Sequence, residues 1–167
     1  DSTKRILLIN ESRKQKSIKK QAKMKEDAAK EFKKYSKDPL FVAGLMLYVG
    51  EGDKSTKTGH IRIGNIDPAV LKIFIKFLTR FCDIDAEKVR FWLLCYPDHE
   101  AEKCLIWWSN STGLPRGQFY KTQVIQGKHK EKKLLYGVGN ITITSVFLKT
   151  KILKWIEIMS DHLAAII

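Results

Sequence analysis

An α+β domain is what this sequence predicts: an antiparallel sheet with helices packed on one face, preceded by a basic helical segment. Three observations carry that expectation. Polar and apolar residues alternate over 58–65, 88–96 and 135–144; Asp38-Pro39 and Asp67-Pro68 each open a run of helical character; and basic residues crowd the first 37 positions. Alternation with period two marks half-buried strands, and Asp followed by Pro supplies an N-cap and a favoured first helical residue.

Residues 1–37 hold 13 Lys and Arg against 5 Asp and Glu, so 8 of the 13 net positive charges lie there. From Glu11 to Tyr35 the residues are strong helix formers with few apolar anchors, which predicts one exposed helix or a pair, able to lie along a phosphate backbone or to serve as a solvated linker. The chain thus divides into a basic extension, 1–37, and a body, 38–167.

In the body, a helix starts at Asp38-Pro39 and is apolar on every side from Leu40 to Val49, as expected of a helix buried in a core or pressed against another helix. It ends at Gly50-Glu51-Gly52. A carboxylate there adds negative charge to the negative end of the helix dipole, unfavourable by about 0.3–1 kcal/mol unless a cation intervenes. Residues 52–59 form a loop or a short hairpin, and 58–65 a strand with His60 and Arg62 on one side and Ile61 and Ile63 on the other. Asp67-Pro68 opens a second helix with the stripe Val70, Ile73, Phe74, Phe77, Leu78 and Phe81, and with Lys72, Lys76 and Arg80 outside.

Val89, Phe91, Leu93 and Cys95 form the inner face of another strand. A helix with Asp98, Glu100 and Glu102 in its first turn follows and stops at Gly113, with Trp107 and Trp108 as packing residues. Two strands, 118–126 and 135–144, flank a basic hairpin tip carrying Lys128, Lys130, Lys132 and Lys133. A last helix from Ser145 shows Leu148, Ile152, Trp155, Ile156 and Met159. Hairpin connections favour an antiparallel sheet covered on one face and open on the other.

A net charge of +13 points to a polyanion, nucleic acid foremost. Cys82, Cys95 and Cys104, with no C-x-x-C pair, read as reduced thiols, and the scattered His60, His99, His129 and His162 support no zinc site. No apolar run reaches the roughly 18 residues of a membrane span. Gly50-Glu-Gly-Asp-Lys54-Ser55 follows a helix and lacks the Gly before Lys, so it is not a P-loop, and Gly137-Val-Gly139 reads as a bend. The open face would present His60, Arg62, Arg90, Lys121, Gln123, Asn140 and Thr142: guanidinium and amide groups suited to base edges, lysines to phosphates. Arg116 and the four lysines of the hairpin tip complete the expected DNA-binding set.

Met46-Leu-Tyr-Val-Gly50-Glu51-Gly52, followed by Asn65-Ile-Asp67-Pro68 and by Trp108-Ser-Asn-Ser-Thr-Gly113-Leu-Pro115-Arg-Gly-Gln118-Phe119-Tyr-Lys121, resembles the LAGLIDADG DNA endonucleases and their DNA-binding relatives, in a prokaryotic branch with one motif per chain. The resemblance covers about residues 40–160. It implies a saddle-shaped sheet and a homodimer in which two motif helices pair, here through Gly44, Leu45, Met46, Val49 and Gly50. It also implies site-specific hydrolysis of double-stranded DNA. Glu51 would be the catalytic acid and, with the Gly50 carbonyl, would hold Mg²⁺, or Mn²⁺ or Ca²⁺ in its place. The implied location is the cytoplasm of a prokaryote, on the nucleoid when bound. A helix-turn-helix often precedes the domain in that branch and would lie upstream of Asp1. Met46 departs from the family by occupying a position that is small there, and Asp53 is a second acid close by. The alternatives are a DNA-binding or regulatory module of the same fold without chemistry, and an RNA-binding basic protein, against which the scarcity of exposed stacking aromatics counts.

Overall fold

The computed structural model describes residues 2–126 and 134–166. The elements run α1 (Ser2–Tyr35), α2 (Pro39–Glu51), β1 (His60–Asn65), α3 (Pro68–Phe81), β2 (Arg90–Cys95), α4 (Ala101–Thr112), β3 (Gln123–Val124), β4 (Val138–Thr144) and α5 (Val146–Ala164). Both Asp-Pro starts form as expected. The Asp38 carboxylate accepts from Leu40 N at 2.9 Å, that of Asp67 from Ala69 N at 2.8 Å, and each satisfies a donor the first helical turn leaves free. Gly113 ends α4 with φ at 78°, a left-handed geometry that suits glycine.

The sheet is mixed, in the order β1-β4-β2-β3. β4 pairs antiparallel with both β1 and β2, whereas β3 pairs parallel with β2. This corrects the expected hairpin between 118–126 and 135–144, because β2 lies between those two segments. The first segment shrinks to the two-residue edge strand β3. Before it, residues 116–118 make a 3-10 turn that Gln118 locks by donating to the carbonyls of Ala86 and Val89, both at 2.7 Å. Alternation over 118–126 resembles a strand, but Gln118 is buried for hydrogen bonding and 123–126 are exposed, so no apolar row holds a longer ladder. The tip with Lys128, Lys130, Lys132 and Lys133 lies outside the described residues.

Helices cover one face. An aromatic cluster fills the layer: Phe41 meets Phe32, Phe77, Phe81 and Trp155 at ring separations of 5.0–6.0 Å. Such offset and edge-on pairs add about 0.5–1.5 kcal/mol each beyond area burial. Trp108 lies across Gly139, where an added Cβ would meet its ring at 2.8 Å. On α3 the buried stripe is Leu71, Phe74, Phe77, Leu78 and Phe81, so the expected Ile73 is replaced inside by Leu71. Both are apolar, and the side that α2 covers decides between them.

The basic extension is a single helix, not a pair. Its side chains are exposed as far as Lys23, but Ala28 and Phe32 are buried, and Trp155 donates from its indole to the Ala28 carbonyl at 2.9 Å. Packing against the body therefore begins inside α1, before the expected boundary at 37/38. Among the described residues no helix is long and apolar enough to cross a membrane.

Candidate nucleic-acid interface

Strand pairing sets the open face in rows. Arg62 on β1, Thr142 on β4 and Arg90 on β2 stand side by side, and the next row holds Gly64, Asn140 and Trp92. Because alternate residues point to opposite faces, Ile61, Ile63, Ile141, Phe91 and Leu93 enter the core while these rows stay outside. His60 sits at the outer end of β1, its Nδ1 at 3.0 Å from the Thr144 hydroxyl. Beyond β2, Tyr120 N donates to the Phe91 carbonyl at 2.7 Å, which stations Tyr120, Lys121 and Gln123 along the far edge.

Among the hollows of this face, two adjoin at Asp53, Arg62 and Trp92. One, of about 370 Å³, is lined by Asp53, Arg62, Trp92, Tyr120, Lys121 and Gln123, among others. The second, of about 430 Å³, includes Glu51 and Asn140 and shares Asp53, Arg62 and Trp92 with the first. Glu51, exposed at the last residue of α2, thus sits at the end of the polar face.

The turn after Glu51 is tied down from three sides. Asp53 N donates to the Arg62 carbonyl at 3.1 Å, fastening the turn to β1. The Tyr48 hydroxyl donates to the Asp53 carbonyl at 2.6 Å, and burial pushes its phenol up to about 12. Ser55 N donates to the Asp53 carboxylate at 2.9 Å, and this bond first, with Lys149, Arg62 and His60 adding to it, holds that carboxyl below its ordinary range. Lys149, only 2% exposed, donates to the His60 carbonyl at 2.7 Å with its Nζ 3.9 Å from the Asp53 carboxylate. Burial lowers its pKa against the pull of Asp53. Sequence reading missed this buried lysine. Its signal was a Lys at the spacing of the α5 stripe, three residues before Ile152.

His60, Arg62, Lys121, Gln123 and Thr142 come together on this face as expected. Two others are partly spent: Arg90 folds back on the carbonyls of Glu87 and Val89, and Asn140, mostly buried, donates to the Val138 carbonyl at 3.2 Å and fills the space beside Gly64. Arg116 is paired with Glu102 at 3.1 Å and lies over the Phe119 ring, and it lines neither hollow. Among the described residues the open face carries partly exposed Trp92 and exposed Tyr120, and so is less bare of stacking rings than the sequence suggested.

The expected pairing surface on α2 requires correction. Gly44 and Leu45 are buried: a Cβ on Gly44 would lie 2.2 Å from the Phe77 ring. The outward side instead shows Val42 and Met46, with open space around Gly50 and Val49 at its margin. A helix apolar all round gives no local cue to which side faces in.

Among the described residues no group of three or more His, Cys, Asp or Glu side chains gathers as a metal site. What one chain offers is the Glu51 carboxylate, with Asp53 on the same hollow. These are hard oxygen donors of the kind Mg²⁺ or Ca²⁺ takes, though too few to complete a shell of six without a second chain or water. Comparison of the chain with protein-family models, with curated proteins and with solved structures finds no match.

Proposed function

We propose that this chain binds double-stranded DNA with the open face of its sheet, as a homodimer of LAGLIDADG-like fold, and cuts it with a divalent cation held at Glu51. The observation that carries this reading is convergence. Basic and amide side chains from three strands and an edge loop share one uncovered face, and an exposed carboxylate stands at its end beside an apolar helix side.

Arg62 and Lys121 supply charge for phosphates, and Gln123, His60 and Thr142 supply groups for base edges. The open face of the sheet would receive a duplex lying across the strands. Burying Val42 and Met46 against their copies would bring two Glu51 carboxylates, with the Gly50 carbonyls, to one seam. The two Glu51 carboxylates and Gly50 carbonyls would hold a divalent cation there, which would supply Lewis acidity towards a phosphoryl oxygen and a bound water. Asp53, held ionised by Ser55 N and Lys149, keeps a second negative group at the same end.

Selection from a pool of random duplexes identifies a bound sequence, and Mg²⁺ is then added. We expect cleavage by the native chain and a loss of at least about 100-fold in Glu51→Gln, given the several kcal/mol of charge stabilisation involved, with binding retained. Binding without cleavage in either protein identifies the non-catalytic reading. Cleavage that survives Glu51→Gln removes the catalytic assignment.

A further inference from the structure

We propose that the hollow around Trp92 and Tyr120 receives one unstacked nucleotide of the bound DNA; the inference rests on the DNA-binding reading of this face. Edge readout of a paired duplex uses hydrogen-bonding groups, and the face of an aromatic ring offers none. Trp92 nevertheless stands in the middle of the open face, in the row of Gly64 and Asn140, where a solvated sheet gains nothing from indole. Asn140, its neighbour on β4, is drawn down onto backbone, and Gly64 on the far side of Asn140 has no side chain, so towards β1 the partly exposed ring has no bulky neighbour along its row. Arg62 lies over the ring at 5.9 Å, a cation held against an aromatic as in single-strand binding sites.

Tyr120 stands across the same hollow, 55% exposed, on a segment fixed by its own backbone bond to Phe91. The volume of about 370 Å³ falls in the range of roughly 300–1,000 Å³ that suits small planar ligands. Its wall is divided by chemistry. Trp92 and Tyr120 give apolar surface for a base, Gln123, His60 and Thr142 give donors and acceptors for its edge, and Arg62 and Lys121 give charge for the flanking phosphates, while the Asp53 carboxylate on the same wall is engaged by Ser55 N at 2.9 Å and lies 3.9 Å from the Lys149 ammonium. Stacking on a ring does not depend on which base it is. Taking a base out of an intact pair is costly and out of a defective one much less so. The hollow should therefore make the protein favour DNA that already has an unpaired nucleotide.

The test compares two labelled duplexes of one sequence, fully paired and with a single-nucleotide bulge, titrated with the full chain at fixed salt. We expect the bulged duplex to bind about tenfold tighter or more. Trp92→Ala and Tyr120→Ala should each shrink that ratio, with little change on the paired duplex, and Trp92→Phe should keep most of it. Equal affinity for the two duplexes overturns the inference alone, as does a ratio untouched by both ring removals. Binding to neither duplex overturns the DNA reading as well. Competition by free deoxynucleoside monophosphate at concentrations as low as those of the bulged duplex overturns the DNA source and makes the hollow a nucleotide site.

Discussion

Gly44 is a glycine because the Phe77 ring occupies the place of its side chain. In a helix, Ala is favoured over Gly by about 0.8–1 kcal/mol, but forcing a methyl into a filled core costs about 1–3 kcal/mol. With a gap of 2.2 Å the second effect wins. Gly44→Ala should lower the urea midpoint, and Gly50→Ala, with open space around it, should leave the midpoint unchanged or raise it. The cysteines give a pH-dependent expectation. Burial pushes the thiols of Cys82, Cys95 and Cys104 up from an ordinary value of 9.0. A group whose folded pKa is raised contributes stability that is complete below its unfolded value and fades as pH climbs towards the folded one. Stability should thus decline above about pH 9, a decline weakened by replacing the cysteines with Ala, and a thiol reagent should label none of the three in the folded chain and all three in urea.

At the scale of elements, α1 and α2 show apolar and charged surface in different ways. Along the exposed part of α1, Lys16, Lys19, Lys20 and Lys23 recur at spacings of three and four, so like charges are neighbours that cost the helix about 0.2–0.5 kcal/mol a pair. Polyanion phosphates would relieve that repulsion. Changing the four to Gln should flatten the plot of log affinity for DNA against log salt, by up to about 0.9 for each lysine that meets a phosphate. An unchanged slope assigns α1 to something other than DNA. The Asp-Pro starts, the Gly113 stop and the strand alternation were all readable, because each is a local preference of a few residues. Ile73, Gly44 and Leu45 were misplaced because their helices carry apolar residues on more than one side.

For the whole molecule, α2 ends with Glu51 on the hollow of the polar face, and the proposed dimer through Val42 and Met46 would join the two polar faces. Met46→Glu would place a charge in each half of that seam, so sedimentation of the native chain on its DNA should show two copies per duplex and the variant one. A single native copy on the duplex would exclude the paired site. His60, Arg62 and Thr142 were found on the open face because alternation along β1 and β4 assigns faces, but their neighbours were not foreseen. Trp92 beside Arg62, and Lys149 beneath Asp53, join positions distant in the chain.

Sequence alone determined the two Asp-Pro helix starts, the Gly113 stop, the inward face of each regular strand, the concentration of charge in the first 37 residues and the exposed acid at Glu51, whereas α4 begins only at Ala101, past the expected Asp98. Periodicity and capping settle these within a turn or a pleat. Tertiary structure decided the order β1-β4-β2-β3, the parallel edge strand, the inward side of α2 and the hollow shared by Asp53, Arg62 and Trp92. Those depend on which distant surfaces fit against each other, and a chain apolar on all sides of one helix can express that choice only once its partners are in place.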